Sequence, residues 1–286
     1  MDLSIASMVL VSAFIHPFWN LFLKKEPDTL LGYLGLTIVL AGIAIVHIFA
    51  AGSDIWSISA VIPLLFLSWC GQILYGTGLI ATLRRGDLSA YYPIIRASPV
   101  FIVITGVLFL GYSYSWYVLL GMAMALAGGF LLLYRRGTHF LEDPKTLGFA
   151  LLAMSGTGIY SIADAKMMQT LDPQVQLFWV ELFLIPIYLI LYLRRQTHTR
   201  YEDGRPMITR AVMLVVPGIM AYCSYYLILM AFQMGGEVAA VTSVRQASIP
   251  ISVLLGGFFL REGAIMRRMI AASLLAAGIV IIITIG

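Results

Sequence analysis

Apolar residues run along the chain in ten long blocks. They fall at about 3–23, 30–51, 60–82, 88–110, 116–134, 146–166, 175–193, 210–232, 237–260 and 265–285. Each is close to the roughly 20 residues that carry a helix across a hydrocarbon core. None shows the apolar-polar alternation of a membrane barrel strand. Short polar segments separate the blocks, and only 135–145 and 194–209 are sizeable. The pattern predicts an all-α integral membrane protein of ten transmembrane helices. The segment 135–145 divides it into five spans on each side.

The two sides repeat each other. Shifted by 150 positions, spans three to five lie over spans eight to ten without a gap. Tyr75 then meets Tyr225, Gly86-Asp87 meets Gly236-Glu237, Ala97-Ser98 meets Ala247-Ser248, and Ala127-Gly128 meets Ala277-Gly278. Span one fits span six at a shift of 144, which sets His16 on Tyr160 and Asn20 on Asp164. Chance overlap of apolar blocks would match Leu with Val, not Gly, Ser and Tyr at a constant offset. The expected organisation is two five-helix repeats, 1–140 and 141–286. An odd number of spans per repeat turns the second one upside down, the arrangement common in secondary transporters.

Composition agrees with this reading. The chain has 286 residues, 60% hydrophobic and 11% charged, with a mean hydropathy of +0.93. A soluble domain holds about a quarter charged residues, so a soluble globule and a disordered chain are excluded. The +4 net charge describes sidedness rather than nucleic-acid binding. Fifteen of the 18 Lys and Arg, from Lys24 and Lys25 through Arg84, Arg85 and Arg194 to Arg267 and Arg268, sit in or beside odd-numbered loops. The positive-inside rule puts those loops in the cytoplasm and both termini outside, in a cytoplasmic (inner) cell membrane. The N-terminal block carries Asp2 where a signal peptide would carry bases, and it lacks a small-residue cleavage site. Cys70 and Cys223 sit inside apolar blocks and read as buried free thiols.

Particular residues point to a family. Span one ends His16-Pro17-Phe18-Trp19-Asn20, span four reads Ala90-Tyr91-Tyr92-Pro93-Ile94-Ile95-Arg96-Ala97-Ser98-Pro99, and span nine contains Val244-Arg245-Gln246-Ala247-Ser248. With Glu262 after the Phe259-Leu260 exit, these segments resemble the drug/metabolite transporter superfamily, specifically its EamA-type ten-helix members; Tyr112, at the matching place in the first half, departs from that pattern. The resemblance implies transport of small solutes by alternating access. It also implies a central cavity that Trp19, Tyr75, Tyr92, Tyr160, Tyr222 and Tyr225 face, and it leaves the solute open.

Charges inside the bilayer are expensive, roughly +3 kcal/mol each at a helix centre. Arg96 and Arg245 each lie about eight residues into their spans. A guanidinium fork suits a carboxylate or phosphoryl group, so Arg96 is a candidate anion site. The alternative for Arg96 is a bond to helix carbonyls or snorkelling to the interface. For Arg245 the alternative is an ion pair with Asp164 or Glu181, which should share its half of the membrane. Asp164 and Glu181 are candidates for proton coupling or a gate. Asp164 also reads as a satisfied interfacial residue beside Lys166. His16 is either a titrating group or a hydrogen-bonding core residue. The expected substrate-binding set is His16, Trp19, Asn20, Tyr75, Tyr92, Arg96, Ser98, Tyr160, Tyr225, Arg245, Gln246 and Ser248. Pro93 and Pro99 should bend span four around Arg96. Small residues in span five (Gly121, Ala125, Gly129) and span ten (Ala272, Ala276) predict close helix packing, within the chain or in a homodimer through those spans.

No phosphate-binding loop, His-Glu-x-x-His or Gly-x-Ser-x-Gly motif occurs in the sequence, and no cofactor or metal is expected. The expected activity is not enzymatic. It is secondary active transport of a small organic anion or zwitterion, such as an amino acid, with the lipid bilayer as solvent and no nucleic-acid partner. A lipid or lipid-linked sugar translocator is the alternative, and a membrane-embedded enzyme the more remote one.

Overall fold

The structure is a computed structural model that describes residues 1–24, 28–85, 91, 94–133, 143–194, 206–251 and 265–285. Among those residues the regular secondary structure is helical, with short turns and irregular connections between helices. The helices are α1 (Leu3–Lys24), α2 (Thr29–Ala51), α3 (Ile62–Arg85), α4 (Ser98–Phe109), α5 (Trp116–Leu133), α6 (Pro144–Met167), α7 (Pro173–Arg194), α8 (Met207–Gln233), α9 (Val238–Val244) and α10 (Ile265–Thr284). By length and apolarity, α2, α3 with the 3-10 turn before it, α6, α7 and α8 are each able to cross a membrane. The other apolar helices are shorter over their described residues. Helices suit this composition because lipid offers backbone groups no hydrogen-bond partner, and a helix satisfies its own.

Ends of helices are marked in the sequence. Asp28 caps α2 by accepting from Leu31 N–H at 3.2 Å. Gly52 closes the same helix at φ 68°, a left-handed conformation that costs glycine little. Asp143 caps α6, accepting from the N–H groups of Lys145 and Thr146, with Pro144 in the first turn. These bonds and the Thr146 hydroxyl hold the Asp143 carboxyl below its ordinary value of 3.8.

The helices pack in cross-half pairs. α1 lies on α8, α3 on α6, α2 on α7, α4 on α9 and α5 on α10. Two of these contacts need glycine because backbones nearly touch. A methyl group on Gly71 would come within 2.7 Å of the Tyr160 nitrogen, and one on Gly121 within 2.7 Å of the Gly278 oxygen. The small residues of span five are thus used inside the chain: Ala125 is fully buried and Gly129 faces Ile249. The thiols differ from expectation. Cys70 is half-buried and Cys223 is exposed on the outer side of α8, where an apolar thiol can face hydrocarbon as readily as protein.

Tyr92, Pro93, Gly86-Asp87 and Glu262 lie outside the described residues, and so does the side chain of Asn20.

Candidate functional site

Spans four and nine are not continuous helices. Tyr91 and residues 94–95 are helical, but Arg96 and Ala97 form a turn before α4 starts at Ser98 with Pro99 behind it. In the second half α9 ends at Val244 and a 3-10 turn runs through Arg245, Gln246 and Ala247. Each of these half-buried arginines therefore sits at a break, where the backbone loses regular helical bonds and side chains can come close.

The two breaks meet. Arg96 and Arg245 line one cavity together with His16 of α1, Tyr75 of α3, Ser98 of α4, Thr157, Tyr160 and Ser161 of α6, and Thr242 and Gln246 beside Arg245. Arg96 and Arg245 each lie about eight residues into their spans. Their convergence follows from helical rise: eight residues reach about 12 Å inward from either face. Half of a roughly 30 Å core is about 15 Å, so both arrive near the midplane.

Polar contacts cross the cavity. Arg96 donates from a terminal guanidinium nitrogen to Ser248 Oγ at 2.6 Å, joining the two halves. The Arg245 guanidinium lies over the Tyr225 ring, 5.5 Å from its centroid. The charges of both arginines reach the His16 imidazole, whose ring meets Trp19 edge-on at 5.0 Å. Tyr160 links the tyrosines, with ring centroids 6.3 Å from both Tyr75 and Tyr225. Among its lining residues, Arg96 Nε, Arg245 Nε and Gln246 Oε1 are buried and make no hydrogen bond, while Trp19 is not part of the lining. A cation-lined cavity with open valences of this kind can take a carboxylate or phosphoryl group.

Beneath the cavity lies a carboxylate hub. Asp164 is fully buried. It accepts from Ser68 Oγ of α3 at 2.5 Å, from Gln176 Nε2 of α7 at 2.9 Å, and from the Tyr225 hydroxyl of α8. Three convergent donors suit an ionised carboxylate, which only accepts. The charge of Arg245 is felt at Asp164, so Tyr225 bridges the two, its hydroxyl on the acid and its ring under the cation. Asp164 is thus a satisfied core residue that ties α3, α6, α7 and α8 together near the end of α6.

Glu181 is elsewhere. It lies beside Thr37 of α2 and near Tyr188, while the Thr37 hydroxyl donates to Tyr33 O at 2.8 Å. The expected pairing of Glu181 with Arg245 does not occur. Tyr222 also turns away from the cavity, bonding His47 Nδ1 at 2.8 Å. Residues missed from sequence are Ser68, Thr157, Ser161, Gln176 and Thr242. Thr157, Tyr160-Ser161 and Asp164 follow an i, i+3/i+4, i+7 spacing on α6, and that one-sided polar stripe was the available signal.

A second recess of about 510 Å³ opens where α4, α6 and α8 end, lined by Tyr112, Tyr114, Lys166, Gln169, Gln233 and Glu237 among others. Burial, with Glu237 nearby, pushes the Tyr114 hydroxyl up to about 12. The central cavity itself has only about 50 Å³ free, room for a few water molecules.

A solved crystal structure is similar in fold, with a TM-score of 0.75 over 97% of this chain and 95% of its own, at 16% identity. No curated protein matches the chain. Residues 144–284 match the EamA-like transporter family, and this places the protein in the drug/metabolite transporter superfamily as a multi-pass membrane transporter.

Proposed function

We propose that the protein carries a small organic anion or zwitterion, of the size of an amino acid, by alternating access between two inverted five-helix repeats. The observation that carries this reading is the meeting of Arg96 and Arg245 in one polar cavity between the halves. Two guanidiniums against one nearby carboxylate leave a net positive site, and a substrate carboxylate offsets it. The packing partners support the repeat. Exchanging each helix for the one five places away turns α1–α8 into α6–α3, and leaves α2–α7, α4–α9 and α5–α10 as they are. A cavity with 50 Å³ free is far below the roughly 300–1,000 Å³ of ligand pockets. Substrate entry therefore requires the halves to part, as alternating access does.

In this reading Arg96 holds the anionic group and Tyr75 and Tyr160 line its flank. The Asp164–Tyr225–Arg245 chain links substrate charge to the helices that must move. Asp164 and Glu181 are the two carboxyls placed to carry a coupled proton. The basic loops lie in the cytoplasm and both termini outside. Purified protein in vesicles, assayed by counterflow with a panel of radiolabelled amino acids and dicarboxylates, tests the reading. Exchange without chemical change is expected. Losing one charge-assisted contact of about 1.5–3 kcal/mol in R96Q should weaken binding roughly 10- to 150-fold. Wild-type counterflow by R96Q at normal membrane abundance would refute the role of Arg96, and product formation would overturn the transporter reading.

A further inference from the structure

A groove of about 490 Å³ lies at the end of the molecule where α3 and α7 finish, between α2, α3, α6 and α7. Leu30, Ile80, Phe149 and Leu191 supply apolar lining. Arg85 and Arg194, the last residues of α3 and α7, also line it. Both arginines are exposed, and so is Leu191, which places the groove on the outer surface of the bundle. The Arg85 guanidinium lies over the Phe149 ring, 5.8 Å from its centroid, and this contact limits where its fork can point. The charge of Arg85 reaches Asp143, but the Asp143 oxygens already accept from Lys145 N–H, Thr146 N–H and the Thr146 hydroxyl. The groove shares no lining residue with the central cavity, so its occupant is not the cargo in transit.

We propose that this groove is a binding site for an anionic phospholipid, with the phosphodiester held by Arg85 and Arg194 and an acyl chain laid along Leu30, Ile80 and Leu191. Charge complementarity selects the headgroup. Two guanidinium forks match phosphate oxygens in a way a point charge does not. Basic pockets between spanning helices at the level of the headgroups are suited to anionic lipids. The apolar lining selects a lipid over free phosphate, because an inorganic ion would satisfy the arginines and leave that lining bare.

The test compares thermal unfolding of the full-length protein in mixed micelles containing phosphatidylglycerol, phosphatidylcholine, or phosphatidylcholine with inorganic phosphate. Phosphatidylglycerol should raise Tm by about 3 °C or more over phosphatidylcholine, since a ligand of the folded state stabilises it by mass action. Inorganic phosphate should not reproduce the rise. R85Q/R194Q should abolish the difference while keeping the Tm measured in phosphatidylcholine. R267Q/R268Q, which removes equal charge from the start of α10, should retain the difference. The single variants R85Q and R194Q should fall between, and they decide the matter if the double variant does not fold. Equal Tm in the two lipids overturns the proposal. So does an undiminished shift in the arginine variants, a loss of the shift in R267Q/R268Q, or an equal response to inorganic phosphate.

Discussion

Asp164→Asn is the most searching perturbation of the hub beneath the cavity. The wild-type carboxylate accepts from Ser68, Gln176 and Tyr225. An amide keeps one oxygen and puts an NH₂ where the other was. Its best orientation keeps the oxygen toward Ser68 and Gln176 and turns the NH₂ to the Tyr225 hydroxyl, whose own proton must then find another acceptor. Hydrogen bonds to a charged group are worth about 1.5–3 kcal/mol and neutral ones about 0.5–1.5, so three weakened bonds lose about 3 kcal/mol. Burying a neutral amide instead of a carboxylate saves desolvation and works the other way. The lost charge also removes the attraction that the half-buried Arg245 guanidinium feels from Asp164. The net expectation is a loss of about 3 kcal/mol. At roughly 2–4 °C per kcal/mol for a chain of this order of size, Tm should fall by about 6–12 °C. The assay is thermal unfolding of purified D164N, R245Q and the double variant. Since R245Q removes the cation that D164N orphans, the double variant should be more stable than the sum of the single losses predicts. A D164N protein as stable as wild type would refute the hub, and effects that add within about 0.5 kcal/mol would refute the coupling of Asp164 to Arg245.

Other expectations follow from packing and sidedness. A methyl group at Gly156 would overlap the Tyr75 backbone nitrogen, whereas one at Gly148 on the same helix meets nothing within 4 Å. G156A should therefore lose about 1–3 kcal/mol of stability to overpacking, while G148A should be neutral or gain up to about 1 kcal/mol from helix propensity. A thermal scan showing G148A the worse of the two would contradict the α3–α6 contact. A C-terminal reporter active only in the cytoplasm should stay silent, and a bright one would reverse the topology.

Much of the site was legible because it depends on depth, and depth is a count of residues along a helix. Arg96 and Arg245 were singled out as charges deep in their spans, and Pro99 marked the break at which Arg96 sits. Direction around the helix axis is harder to read. Each residue turns the side chain by about 100°, so residues at the same depth can face unrelated neighbours. On α7, Gln176 and Glu181 are five residues apart and point in directions about 140° different. Gln176 therefore reaches Asp164 while Glu181 meets Thr37 on α2. On α8, Tyr222 and Tyr225 diverge by about 60°, enough to send one to His47 and the other to Asp164. Charge attraction alone suggested that Glu181 would find Arg245, but the helix partner of each face decides which charges can meet. That partner is set by where glycines let backbones touch, as Gly71 does against Tyr160. The Asp164 carboxylate is fully buried within the bundle for this reason. Glycine contacts draw α6 onto α3, and the polar stripe of α6 is then left to face the cavity and the hub.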